Sequence, residues 1–238
     1  TVLNGMDTEL SPSEPSGSGT AATDTADIKP SSKGSPYKFY FERLTPVEKR
    51  AYNAIIEKIY DMPERIAVPK IDGKELDNVF SALLFDNPDL FFLGRKCAVE
   101  TRMWLTYFSV DYIVDKADIA DMRERLEREC ETFEQTLTDP GNQWRTELEI
   151  HDHVIDRCEY HDPEGDLIYS SSYGALVDGR AACEGYSKAV KLLLDRAGIE
   201  NALISGVSEN GEGSGGAHMW NIVNIGGDYY HLDCTWDD

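Results

Sequence analysis

From residue 45 onward, apolar side chains recur at intervals of three and four. Val47, Ala51, Ile55 and Ile59 form one stripe, widened by Tyr52 and Ile56. Ahead of it Thr45-Pro46-Val47-Glu48 is a capping box with proline in the first helical turn, so a helix is predicted to begin there. A second helix is predicted from Asp72 to about Phe85, with Leu76, Phe80 and Leu83 inward and Asn87-Pro88 as its stop. Ile119, Met122, Leu126, Cys130, Phe133 and Leu137 mark a third, closed by Asp139-Pro140-Gly141. A fourth covers roughly 143–158, carrying Leu148, His151, Ile155 and Cys158. The aromatic and β-branched run 103–112 reads as a strand. Residues 37–145 are thus expected to form a mainly helical N-terminal region.

The texture changes near residue 169. Ser170 to Ala182 is small and polar, and 183–197 then returns to helical spacing at Tyr186, Val190, Leu193 and Ala197. Gly198 follows where a helix C-terminus favours glycine. Strands are predicted over 200–207, 217–225 and 228–235, the last two joined by Gly226-Gly227, a two-residue hairpin signal. The whole therefore reads as α+β, with a second unit at 146–238.

Residues 1–36 differ in composition: 23 of them are Gly, Ser, Thr, Pro or Ala. Such a segment buries too little apolar area to offset its ordering entropy and is expected to be a flexible tether. The chain opens at Thr1, which suggests a trimmed terminus with a lipid or wall anchor upstream. A net charge of −21 repels phosphate backbones and excludes general nucleic-acid binding. No apolar run approaches the roughly 18 residues of a membrane span. Five cysteines without a CxxC pair suggest neither a disulfide framework nor a zinc site.

Cys183 sits where the predicted helix begins, a position whose free N–H groups and dipole favour a thiolate and lower its pKa. The hairpin supplies partners. A symmetric turn places Ile225 opposite Asp228, so His218 falls opposite Thr235 and Trp220 opposite Asp233. Side chains alternate along a strand, so His218, Trp220, Asp233 and Thr235 share one face. His218 and Asp233 are then diagonal neighbours about 7 Å apart, within reach of each other. His231 pairs with Ile222 on that face and is read as a hydrogen-bonded or surface residue; His151 and Asp152 are read as structural. A metal site of His218, His231, Asp233 and Cys234 fails on parity, because Cys234 points to the opposite face. No metal and no cofactor are expected.

Cys183-Glu184-Gly185-Tyr186, Ala217-His218-Met219-Trp220-Asn221 and Tyr230-His231-Leu232-Asp233-Cys234-Thr235-Trp236-Asp237-Asp238 resemble, in order, the three blocks of the transglutaminase-like superfamily. The resemblance implies a papain-like core, a nucleophile helix on an antiparallel sheet, over 146–238, preceded by the helical extension. It implies a catalytic triad of Cys183, His218 and Asp233. The implied activity is thiol-dependent acyl transfer or hydrolysis at amide bonds of a protein or peptide, such as a cell-wall peptide, outside a bacterial cell and tethered to its surface. Peptidase, amidase or deamidase and transglutaminase remain open, since the acyl acceptor is water or an amine. Tyr173 is the expected side-chain donor to the oxyanion, and Trp220 and Trp236 are expected either to wall the acyl site or to pack in the core. The competing reading is an inactive surface-attached binding or scaffolding module with a vestigial triad.

Overall fold

The computed structural model describes residues 28–162, 165–209 and 215–238. Helix α1 (Pro46–Ile56) starts where its capping box demands: the Thr45 hydroxyl accepts from the Glu48 N–H while the Glu48 carboxylate accepts from the Thr45 N–H. Helix α2 (Gly73–Asp86) is capped the same way by Asp72 and Glu75. Each cap satisfies N–H groups that have no partner inside the helix, a contribution of about 1 kcal/mol. The two helices pack together through Ala51, Tyr52, Ile55 and Ile56 of α1 and Leu76, Phe80 and Leu83 of α2, all buried.

Three antiparallel strands accompany these helices: β1 (Ile66–Val68), β2 (Leu93–Arg102) and β3 (Leu105–Tyr112), in the order β1-β3-β2. The N-terminal region is therefore less helical than expected. Strand β2 gives little warning of itself, because inward Cys97 and Val99 are embedded among Arg95, Lys96, Glu100 and Arg102. Helices α3 (Ile119–Glu134) and α4 (Gln143–Arg157) follow. Helix α4 buries Thr146, Ile150 and Val154, whereas Leu148 is 47% exposed. The stripe that meets α5 is the one at i, i+4 from Thr146, not the more apolar-looking one from Leu148.

A short parallel pair, β4 (Glu159–Tyr160) with β5 (Arg180–Ala181), leads into α5 (Cys183–Arg196). Helix α5 lies across an antiparallel sheet of β6 (Asn201–Glu209), β7 (Gly215–Ile225) and β8 (Asp228–Leu232), with β7 in the middle. Gly226 and Gly227 both have positive φ, 65° and 99°, as a tight twisted hairpin requires. The β7–β8 register runs from Ile225↔Asp228 to Asn221↔Leu232 and stops there. Strand 228–235 is thus shorter than predicted: the chain turns at Asp233 into α6 (Cys234–Asp237), and the rungs expected at His218–Thr235 and Trp220–Asp233 do not form.

The expected tether needs a correction as well. Residues 1–27 lie outside the described residues, but 28–36 lie against the domain. The Ser31 N–H donates to Asn53 Oδ1, Asn53 Nδ2 donates to the Lys29 carbonyl, and the Ser35 N–H donates to Asn87 Oδ1. Ser35 is buried. Polar main-chain bonding to α1 and to the residue after α2 holds this stretch, which an apolar-area argument does not foresee.

A chain starting at residue 37 should melt about 5 °C below one starting at residue 28, since several hydrogen bonds of about 1 kcal/mol each are lost; equal melting temperatures in calorimetry would refute the docking. A second expectation concerns Asp86, whose carboxylate is buried and accepts the N–H groups of Tyr40 and Phe41. Burial pushes it up to about 6, against the lowering effect of those two bonds. The folded state then holds this proton more tightly than the unfolded chain, so stability falls as pH rises through about 4 to 6. Urea titrations at pH 4 and pH 6.5 should show Asp86→Asn gaining on the wild type by about 2 kcal/mol over that interval.

Candidate active site

Cys183 is the first residue of α5, and Ala182 before it is extended with no side-chain cap. The first turn of the helix therefore begins on open N–H groups. The backbone N–H groups of Met219 and Glu184 favour the ionised form of the Cys183 sulfur. Gly185 lets this turn press onto neighbouring backbone: a Cβ there would stand 2.6 Å from Ala181 Cβ and 2.7 Å from the Tyr169 carbonyl oxygen.

Helix and sheet are joined by Ser187. Its Oγ lies 2.7 Å from the Cys183 carbonyl oxygen and 2.8 Å from that of Met219, while Asn221 Nδ2 donates to the Ser187 carbonyl at 3.0 Å. This seam brings the head of α5 beside β7 at Met219, next to His218. His218 is 7% exposed.

His218 Nε2 lies 2.7 Å from Asp233 Oδ2. An ionised carboxylate only accepts, so Nε2 carries the hydrogen and Nδ1 is left as the acceptor. The other oxygen, Oδ1, accepts the Thr235 N–H and caps α6. The pairing expected from strand parity is therefore present, although Asp233 reaches His218 from a helix cap instead of a strand.

Two indoles flank the imidazole. Trp220 stacks at 5.8 Å between ring centres and Trp236 is tilted at 5.5 Å. Trp236 is 58% exposed and Trp220 half-buried, so neither is a core residue. Trp220 Nε1 donates to His231 Nδ1 at 2.8 Å, which gives His231 the hydrogen-bonded role expected of it. His151 joins α4 to α6 through Asp237 and also meets Asp152. Burial would lower its pKa, but those two carboxylates raise it.

Tyr173 belongs elsewhere. Its ring is stacked on Phe91 at 5.0 Å with the Arg125 guanidinium 5.6 Å away, and only 2% of it is exposed. Small polar neighbours in sequence concealed this, because the residues that bury it come from the N-terminal region. The aromatic hydroxyl near the thiol is Tyr160, 55% exposed, on β4 in register with Ala181 two residues before Cys183. Burial, then the negative charge of an ionised Cys183 and that of Asp162, raise its pKa. Its lone position after Cys158-Glu159 carries no motif by which sequence alone marks it.

The thiol itself departs from the expected lowering. Burial pushes Cys183 up, the carboxylates of Glu184 and Asp233 add to this, and the N–H groups of Met219 and Glu184 offset part of it. At rest it is therefore a protonated thiol. Among the described residues no cluster of three or more metal-ligating side chains is present, and no helix is long and apolar enough to cross a membrane.

Residues 131–234 match the family model of the transglutaminase-like superfamily. No curated protein matches the sequence. Among solved structures, a TGase shares 14% identity at a TM-score of 0.39, covering 72% of this chain and 50% of its own. A candidate cysteine protease from Cytophaga hutchinsonii shares 13% at 0.39, over 59% of this chain and 61% of its own. The periplasmic domain of TgpA from Pseudomonas aeruginosa, bound to ethylmercury, shares 16% at 0.36, over 58% and 57%. The chain thus spans half to three-fifths of the length of these relatives.

Cys183 is half-buried, whereas Cys97, Cys130, Cys158 and Cys234 are buried. Burial pushes Cys97, Cys130 and Cys158 up to about 12 and Cys234 further. Iodoacetamide at pH 8 should accordingly modify Cys183 at least ~10-fold faster than any other cysteine; uniform labelling in a peptide map would remove the basis for a distinct thiol.

Proposed function

Residues 131–234 match the transglutaminase-like superfamily, and on that premise we propose that the chain is a thiol enzyme acting on amide bonds of proteins or peptides. The observation that carries this reading is the His218–Asp233 bond at 2.7 Å, made one residue from Met219, whose carbonyl is tied to the head of α5 through Ser187. This supports assigning Cys183 as nucleophile, His218 as base and Asp233 as orienting carboxylate for acyl transfer.

In this mechanism His218 Nδ1 takes the proton of Cys183 as the sulfur attacks the carbonyl carbon of the substrate amide. The C–S bond forms, the carbonyl π electrons move to oxygen, and Asp233 stabilises the imidazolium and holds its tautomer. A protonated resting thiol suits this order, because proton transfer accompanies attack. The backbone N–H of Cys183, open at the head of α5, donates to the oxyanion. Tyr160 supplies the side-chain donor, in the role Tyr173 was expected to fill. Collapse expels the amine, which takes the proton from His218 and leaves a thioester. Water then gives the acid, or an amine gives a new amide. Trp220 and Trp236 restrict the imidazole from both sides, and exposed Trp236 faces incoming substrate. An extracellular or periplasmic setting, with surface attachment through the Ser/Pro/Gly-rich N-terminal residues, belongs to the same proposal.

The test is mass spectrometry of a mixed peptide library incubated with the protein, with and without a primary amine. Cleavage, a gain of about one dalton from deamidation, or an amine adduct each identify a subclass. Cys183→Ala and His218→Ala should each abolish turnover, and Asp233→Asn should lower kcat by about 10² to 10⁴-fold with the fold intact. Tyr160→Phe should lower kcat by about 10²-fold with little change in KM. His231→Ala should cost far less. Absence of turnover on any peptide, with all variants alike, would leave the scaffold reading as the better account.

A further inference from the structure

The residue after the nucleophile is a buried acid. Glu184 is 9% exposed, and its carboxylate is held by two cations: Arg95 Nη2 at 2.5 Å on one oxygen and Lys188 Nζ at 2.8 Å on the other. The cations are anchored to the same stretch of chain, Arg95 to the Ser170 hydroxyl at 3.2 Å and Lys188 to the Ser170 carbonyl at 3.3 Å. Lys188 belongs to α5, one turn beyond Glu184. Arg95 does not. It comes from β2, in the sheet of the N-terminal region, and its side chain is 43% exposed.

A carboxylate one residue from a thiol matters electrostatically. Left unneutralised in a partly buried site, it opposes formation of a thiolate beside it. Burial would raise the Glu184 pKa, but Lys188 and Arg95 together bring it below the ordinary range, so the group is a fixed negative charge. Its effect on Cys183 depends on how closely the two cations match it. The remaining charged and titratable groups around the sulfur are His218 from β7, Asp233 from the α6 cap and Tyr160 from β4.

We propose that Arg95 is a positioning residue for the nucleophile: by clamping and neutralising Glu184, it lets the N-terminal sheet set the reactivity of Cys183 at the head of α5. The inference rests on the thiol-enzyme reading for its functional meaning. Arg95 does not touch the reacting atoms. It acts through Glu184, and through Glu184 on the first turn of the helix. On this view the region 37–145 is an integral part of the active site, and the segment matched to the family is incomplete without β2.

The experiment is the pH profile of Cys183 alkylation by iodoacetamide in the full chain, read by peptide mapping between pH 5 and pH 10. Arg95→Met should move the midpoint up by about half to one pH unit, slowing alkylation at pH 7 roughly three- to tenfold. Arg95→Lys, which keeps the charge, should recover most of the wild-type profile. Glu184→Gln should move the midpoint down, and adding Arg95→Met to it should shift the midpoint less than in the wild type, because the carboxylate on which Arg95 acts is gone. Partial exposure of Arg95 favours folding of these variants, and a melting curve of each checks it. A profile for Arg95→Met that overlays the wild type, with or without a drop in melting temperature, overturns the proposal and leaves a structural ion pair. So does an upward shift in Glu184→Gln. Turnover judges the enzyme reading separately: an intact enzyme lacking the Arg95 effect defeats only the positioning role, and an inactive protein showing the effect defeats only the catalytic one.

Discussion

A helix buried on nearly every side must bring a partner to each charge it carries, and α5 carries four such groups. Glu184, Lys188, Lys191 and Asp195 are all less than a tenth exposed. Lys191 is met by Asp195 at 3.2 Å, Ser35 at 3.4 Å and the Tyr37 carbonyl at 3.3 Å; Glu184 and Lys188 are met by each other, by Arg95 and by Ser170. Removing one member of such a buried pair typically costs about 3–5 kcal/mol, because the charge left behind has no solvent. The fold is organised by this requirement. The sheet β6-β7-β8 covers one flank of α5, and β2 and residues 35–37 come across from the N-terminal region to satisfy the rest.

The same burial gives the candidate site its character. A helix held this tightly keeps its first residue in place, and the Ser187 seam to Met219 sets that residue against β7. His218 is oriented from the far side by Asp233, which also caps α6. α6 is in turn tied to α4 by His151 and Asp237 and to α5 by the Tyr186 hydroxyl and Asp238. Sulfur, imidazole and carboxylate are thus positioned by three different elements, each fixed independently. Such rigidity is what precise proton transfer and attack require of a site.

Electrostatics and packing act against each other at the thiol. Burial and two carboxylates disfavour its ionisation, while the backbone N–H groups of Met219 and Glu184 favour it. The balance is spread over α5, β7 and the α6 cap. That spread is why a short motif does not describe the electrostatic setting of this thiol.

What the sequence alone determined was local. Reciprocal caps at Thr45–Glu48 and Asp72–Glu75 began two helices where expected, because a cap is decided within four residues. Gly226-Gly227 set the hairpin register as far as Asn221↔Leu232, one residue short of Asp233. Tertiary structure decided what depends on residues far apart in the chain. It turned 234–237 into a helix once Asp233 could cap it, chose Thr146, Ile150 and Val154 as the buried residues of α4, brought Asp233 from that cap to His218, and seated 28–36 through the amides of Asn53 and Asn87. It also placed Tyr173 against Phe91 and brought Arg95 to Glu184 across 89 positions. Caps and turns are decided by neighbours that the order of residues already names, whereas buried faces and ion pairs are chosen by whichever distant group can pay the desolvation of the one it meets.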